Sequence, residues 1–178
     1  PLRDEPRPQV RHQVFNSTGQ YQYLGRKLRR VSKRTVRVLV DHMRRGEFDF
    51  KYSEQQFSQI LELPSFEETV RVRGVIDRID VYQREGDTFV KVIDYKSGNK
   101  TLNLAEIYYG LSLQLAVYME AGIEILEGDN LIPGGTFYFH VDDPMLQVNK
   151  LDPETLTAAL NDSFKLNGIY LDDPRFTK

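Results

Sequence analysis

The stretch that decides the fold is Gly74-Val75-Ile76-Asp77-Arg78-Ile79-Asp80, followed by Val92-Ile93-Asp94-Tyr95-Lys96-Ser97-Gly98. Each half lies in a run rich in β-branched residues, about 67–83 and 88–96, and such runs read as strands. Arg84-Glu85-Gly86-Asp87 stands between them as a turn, so the two strands pair as an antiparallel hairpin. Side chains alternate along a strand, so Asp94 and Lys96 point to one side. The hairpin lets Asp77 lie beside Asp94 on that side. Asp80 has the opposite parity to Asp77, so it is expected on the other face, paired with a basic residue.

Working outward, Ser97-Gly98-Asn99-Lys100 breaks the third strand. Asn103, with Glu106 three residues later, predicts a capped helix that runs to about Leu126. Residues 133–141 give a fourth strand. Asp152-Pro153 opens a last helix to about Leu166, with Gly168 as its C-cap. Upstream, Phe48, Phe50 and Tyr52 alternate with polar residues and predict the first strand. Before it, Leu24, Leu28, Val31, Val38, Leu39 and Met43 recur at gaps that fit an amphipathic helix over 20–46, stopping at Gly46. Residues 1–19, with Pro1, Pro6 and Pro8, read as an irregular or short helical lead-in. The order of helix, three strands, helix, strand and helix makes an α/β chain with a mixed β-sheet flanked by helices.

A chain of 178 residues suits a single domain over 1–178, with 1–46 as a basic helical lead-in and 47–178 as an α/β core. Cysteine is absent, which removes disulfides, zinc–thiolate sites, iron–sulfur ligation and cysteine nucleophiles from this chain. No apolar run reaches the length of a membrane span, and the polar start Pro1 to Glu5 lacks a signal-peptide core. No membrane association and a cytoplasmic location are therefore expected. The net charge of −2 hides an uneven distribution. Arg26 to Arg45 holds nine basic residues against the single acid Asp41, a net +8, which leaves −10 for the rest. Such a block is a footprint for phosphates, a solvated helix face, or a face for an acidic partner; charge alone leaves these open.

Two carboxylates sharing a site repel each other, and burying them unpaired is costly. A hard divalent cation relieves both problems, and Mg²⁺ typically uses one or two carboxylates and keeps waters for the rest of its shell. Such a cation can make a water nucleophilic and neutralise charge developing on a phosphate. Lys96 can orient that water and stabilise the five-coordinate transition state. On its own, an Asp-x-Lys pair is equally an exposed ion pair contributing roughly 0–1 kcal/mol. Here apolar residues lead into both acids, so they end buried segments. Glu54 on the first strand either approaches the same site or faces solvent. Gly98-Asn99-Lys100-Thr101 lacks the glycine spacing of a P-loop, and Pro133-Gly134-Gly135 reads as a turn.

Three ordered motifs then carry a resemblance. Gly74 to Asp80, Ile93 to Gly98, and Tyr109-Gly110-Leu111-x-Leu113-Gln114-Leu115-x-x-Tyr118 resemble the pattern of PD-(D/E)XK, RecB-type nucleases, most like the C-terminal nuclease domain of the AddB family of helicase/deoxyribonuclease subunits. The similarity covers roughly residues 20–170 and takes in Arg30 to Thr35 and the Glu54 to Phe57 pattern. It implies a restriction-endonuclease-like fold. It implies that Asp77, Asp94 and the carbonyl of Tyr95 hold Mg²⁺, with Mn²⁺ or Ca²⁺ able to stand in. Lys96 is then catalytic, and Gln114 and Tyr118 complete the site and hold substrate. The spacing of four puts Gln114 and Tyr118 on one helix face, although Tyr118 reads equally well as a core aromatic. The implied activity is Mg²⁺-dependent exodeoxyribonuclease action on DNA within a bacterial helicase–nuclease, in double-strand-break repair and recombination, with an AddA-type helicase–nuclease subunit as partner. The alternatives are a nuclease-like module that binds DNA or a helicase without cleaving as an isolated piece, and a free-standing RecB-like exonuclease. Two departures stand out. The resemblance implies a histidine on an upstream helix, but His12 and His42 lie in the wrong context and His140 follows the motifs. It also implies four cysteines holding an iron–sulfur cluster, and this chain has none. Both are expected if this is a segment of a longer parent that carries the cluster.

Overall fold

The computed structural model describes residues 18–63, 68–98, 100–141 and 152–175. Along the chain run α1 (Gly19–Arg45), β1 (Asp49–Leu63), β2 (Glu68–Arg84), β3 (Asp87–Lys96), α2 (Leu104–Tyr108), α3 (Gln114–Leu126), β4 (Leu131–His140), α4 (Pro153–Ser163) and β5 (Asn167–Tyr170). The strands form one sheet in the order β1-β2-β3-β4-β5. Among the described residues only β3 and β4 pair in parallel. A parallel pair needs a long crossover, and α2 with α3 supplies it. The fold is the expected α/β, restriction-endonuclease-like mixed β-sheet flanked by helices.

The β2–β3 turn sets the geometry of everything that follows. Glu85 (φ 56°) and Gly86 (φ 88°) are both left-handed, as a two-residue type I′ turn requires. Its twist matches the strands and locks the register from Arg84↔Asp87 to Arg78↔Ile93. The middle of the sheet is covered on both faces. On one, Ile76, Ile79, Val90 and Val92 pack against Met119 and Ala121 of α3. Gly122 lets α3 come this close, because a Cβ there would stand 3.2 Å from Val92. On the other, Ile93, Phe139 and Phe164 pack with Val38 and Leu39 of α1. Phe164, just past α4, stacks on Phe139 with ring centroids 6.1 Å apart.

Several expectations need correcting. The single helix expected from Asn103 to Leu126 is two helices. Asn103 does cap the first, accepting from the Ala105 N–H at 3.0 Å. Gly110 then turns left-handed (φ 72°). Leu111 N–H donates to Glu106 O at 2.7 Å and Gly110 N–H to Ile107 O at 3.0 Å. This is the paired bonding of a Schellman end, and the helix restarts only at Gln114. Gly168 is not a C-cap. It lies in β5 opposite Phe137, where a Cβ would meet the Thr136 carbonyl oxygen at 2.0 Å. The last helix closes at Ser163, short of Leu166. Its start is as expected, with Asp152 accepting from the Thr155 N–H at 2.8 Å. The lead-in over 1–17, with His12, and Asn99 of the strand break lie outside the described residues. Among the described residues no helix is long and apolar enough to cross a membrane.

Candidate active site

The hydrogen-bonded ladder between β2 and β3 ends at Arg78↔Ile93. Past that point β3 stays with β4, pairing Asp94↔Tyr138, Tyr95↔Phe139 and Lys96↔His140, while β2 stays with β1. The two strands therefore part as a fork. The register carried one rung further sets Asp77 opposite Asp94 at its mouth. Asp77 Oδ2 accepts from the Tyr95 backbone N–H at 2.6 Å, so a side chain holds the strands where the ladder has stopped.

Asp94 is 3% exposed. Gln114, the first residue of α3, donates from Nε2 to Asp94 Oδ1 at 3.1 Å and to the Tyr118 hydroxyl at 3.0 Å. The Lys96 ammonium stands 2.6 Å from Asp94 Oδ2. That ion pair is the contact which this buried oxygen makes among the described residues. Burial pushes the Asp94 carboxyl above its ordinary value; Lys96 pulls it back, and the nearby Asp77 charge adds to the rise. Tyr118 is steadied by Phe57, whose ring meets it edge-on at 5.7 Å. Gly74 makes room for that pair, since a Cβ there would sit 2.6 Å from Phe57 and 3.4 Å from Tyr118.

The fork thus gathers Asp77, Asp94, Tyr95, Lys96, Gln114 and Tyr118. Glu54 is exposed and left-handed (φ 51°). It fills the gap between the rungs Ser53↔Arg78 and Gln55↔Ile76, which is the position facing Asp77. Among the described residues no group of three His, Cys, Asp or Glu side chains gathers where a metal could be held. His42 lies on the α1 face, edge-on to Phe139 at 5.9 Å. Burial and the Lys91 charge push its pKa down. His140 Nε2 is 2.7 Å from the Lys100 carbonyl.

Some residues at the site were not foreseen from the sequence. Tyr138, 1% exposed, lies opposite Asp94 on β4. Its ring is 5.5 Å from Lys96 Nζ and 5.4 Å from Lys100 Nζ. Lys100 also works to lower the Asp94 pKa, so it is a second cation at the fork. On the reverse face lies a buried ion network. Arg78 grips Asp80 at 2.6 Å and 2.9 Å, and Lys91 reaches Asp80 at 3.0 Å. Asp80 is 0% and Arg78 5% exposed. Burial works against the Arg78 charge, but Asp80 and the Tyr95 side chain hold its pKa above the ordinary value. Burial pushes Lys91 down, with Asp80 partly offsetting it. The Lys91 ammonium also lies 4.5 Å from the Phe48 ring centroid, within cation–π range. Asp80 is on the other face beside basic residues, as its parity predicts.

Two carboxylates and a lysine at a fork in a mixed sheet define a class as well as a geometry. Residues 2–173 match the family model of the PD-(D/E)XK nuclease superfamily, and the chain belongs to that family. It is 38% identical over 186 residues to the B subunit of the ATP-dependent helicase/deoxyribonuclease of Alkaliphilus metalliredigens, covering 98% of this chain and 16% of that protein. It is 39% identical over 167 residues to the protein of the same name from Caldanaerobacter subterraneus subsp. tengcongensis, covering 89% and 14%. The counterpart from Clostridium acetobutylicum is 35% identical over 175 residues, covering 93% and 15%. The chain spans about a sixth of the length of the curated relatives it matches.

Proposed function

We propose that this chain hydrolyses DNA phosphodiesters with Mg²⁺ at the fork. Its parent would be a bacterial helicase–nuclease of double-strand-break repair and recombination, in which this is the exodeoxyribonuclease part and an AddA-type subunit the partner. The observation that carries this reading is the meeting of Asp77 and Asp94 at the end of the ladder, with the Lys96 ammonium 2.6 Å from Asp94. The names of the relatives agree with it.

The donors suit the cation. Asp94 offers a buried oxygen whose contact is the Lys96 ion pair, and Mg²⁺ asks for only one or two carboxylates. Asp77, Asp94 and the Tyr95 carbonyl would hold it, with Mn²⁺ or Ca²⁺ standing in. The chemistry such a cation supplies when bound is a lowered pKa for water and neutralised charge on phosphate. Lys96 has three donors and no acceptor while protonated, so it is not a ligand. Its place is to orient the attacking water and offset charge on the phosphate as it becomes five-coordinate. Gln114 holds Asp94 through Oδ1 and leaves Oδ2 to other partners. Lys100 adds positive potential for the DNA backbone.

Mn²⁺ affinity and single-turnover cleavage in Lys96→Ala and Asp94→Ala test these roles. Lys96→Ala should lose about 10²–10³ in rate, by analogy with other preorganised donors. Its metal affinity should be equal or higher, because a neighbouring cation is gone. Asp94→Ala should lose both. Retained cleavage in Lys96→Ala would overturn the assignment. A second reading is a DNA- or helicase-binding module that does not cleave as an isolated piece. It is favoured by the lack of a third His, Cys, Asp or Glu at the site among the described residues. Absence of Mn²⁺ binding at millimolar concentration by calorimetry would select it.

A further inference from the structure

The helix α1 has two faces of different chemistry. Leu24, Leu28, Val31, Thr35, Val38 and His42 recur at alternating gaps of four and three, so they form one stripe. The C-terminal part of that stripe meets the sheet, where Thr35 is buried and Val38 and Leu39 reach Ile93, Phe139 and Phe164. Diametrically opposite run Arg26, Arg29, Lys33, Arg37 and Arg44. At 3.6 residues per turn they fall within an arc of ~80°, and at 1.5 Å per residue they span ~27 Å of axis. All five are exposed, and none pairs with a described residue.

The sheet lies between this track and the fork. Ile93 meets α1 while its neighbour Asp94 meets Gln114 of α3, and adjacent strand residues face opposite ways. The cations therefore point outward on the side away from Asp94. DNA confined to the fork does not reach them. We infer that the outward face of α1 is a second phosphate-binding track, engaged by a nucleic-acid strand long enough to pass round the sheet from the fork. This rests on the reading of the chain as a DNA nuclease. The partner chemistry follows from the arc. Four of its five cations are arginines, whose planar forks match phosphate oxygens. They repeat along a straight line, as an extended polyanion does. Protein interfaces bury an apolar centre, and this arc offers only Val40.

The test is DNA binding by fluorescence anisotropy in an Asp94→Asn background, with and without Arg26, Arg29, Lys33 and Arg37 changed to Gln. Single strands of about 6 and about 30 nucleotides serve as probes, the shorter spanning ~20 Å at helical rise. Each single-strand phosphate contact adds about 0.7 to the salt slope, so four contacts amount to about 50-fold in affinity between about 50 and 200 mM salt. On the long strand the unsubstituted chain should lose about 50-fold more affinity over that range than the quadruple variant. On the short strand the two should agree. Unchanged thermal melting would show that the substituted helix still folds. An unchanged slope on the long strand overturns the inference. Equal changes on both strands place the cations at the fork and overturn it too. Binding of polyglutamate lost in the variant while DNA binding is kept would assign the face to an acidic protein instead. None of these readouts uses cleavage, so a failure of the nuclease reading shows separately in single-turnover assays.

Discussion

Asp80→Asn should be among the most damaging single changes in this chain, and the size of the loss follows from its surroundings. Asp80 is fully buried and serves two cations, Arg78 through 2.6 Å and 2.9 Å contacts and Lys91 at 3.0 Å. An amide can accept from one of them but carries no charge. Breaking a buried pair by removing one partner costs about 3–5 kcal/mol, because the other charge stays buried. The two cations respond differently. Burial already disfavours the Lys91 ammonium, so Lys91 can shed its proton once Asp80 is gone. Arg78 cannot, since a guanidinium stays charged in proteins. Equilibrium urea unfolding measures the effect. With m of ~2 kcal/mol/M the midpoint should fall by ~1.5–2.5 M at constant m. Lys91→Met alone should cost less, because Arg78 still neutralises Asp80. Adding Lys91→Met to Asp80→Asn should recover part of the loss. A fall of less than ~1 kcal/mol in Asp80→Asn would refute the reasoning, for it would mean that water reaches both cations.

Asp94→Asn should stabilise the metal-free protein at neutral pH. Burial raises the folded pKa of Asp94 above its ordinary 3.8, so the native state binds this proton more tightly than the unfolded chain. The contribution is favourable below the unfolded value and is lost as pH rises through the folded one. Urea midpoints of the two proteins should therefore differ at pH ~7 and converge below pH ~3.8; a wild-type advantage at neutral pH would show that the Lys96 pair outweighs burial. Gly74→Ala would place a Cβ 2.6 Å and 2.8 Å from Phe57 ring atoms. Such overpacking costs about 1–3 kcal/mol, and Phe57→Leu should recover part of it. A change under ~0.5 kcal/mol would show that the ring gives way freely.

Much of the fold was legible because it is local. Period-two alternation marks β2 and β3, and the two-residue turn Glu85-Gly86 fixes how they meet. Counting back from Arg84↔Asp87 sets Asp80 against Lys91, a pairing that hairpin arithmetic alone reaches. The break between α2 and α3 was not legible. Ile107, Leu111, Leu115 and Tyr118 keep helical spacing straight through it. A glycine inside such a pattern reads as a tolerated interior residue, and only its left-handed φ separates the two cases. β5 is not legible for another reason. It is four residues long, and Gly168 is required there by the approach of the Thr136 carbonyl, a contact made only in the folded chain.

The candidate site divides along the same line. Asp77, Asp94 and Lys96 follow from one hairpin. Tyr138 does not, because a parallel crossover brings β4 to β3 and no local signal says which residue lands beside Asp94; nor does Lys100, because it follows the strand break, where alternation no longer says which way a side chain points. The reverse-face network explains how the fork stays open without fraying. A strand that parts from its neighbour loses backbone hydrogen bonds and must be held by something else. Here alternation places Asp77 toward the fork and Arg78 behind it. Asp77 takes the Tyr95 amide on one side of the sheet. Arg78 grips Asp80 on the other, with the Tyr95 side chain near enough to favour its charge. Asp77 thus holds by its amide the residue that lies between Asp94 and Lys96, while Arg78, its neighbour on β2, is anchored behind the sheet by Asp80. A β2 backbone anchored at Arg78 by these buried charges should help to fix the spacing of the two carboxylates. Metal affinity should accordingly fall in Arg78→Met, even though Arg78 does not face the fork. Calorimetry with Mn²⁺ would read this, and Arg78→Lys should keep more of the affinity than Arg78→Met. Full Mn²⁺ affinity in a folded Arg78→Met protein would show that the ladder and the Asp77–Tyr95 bond suffice.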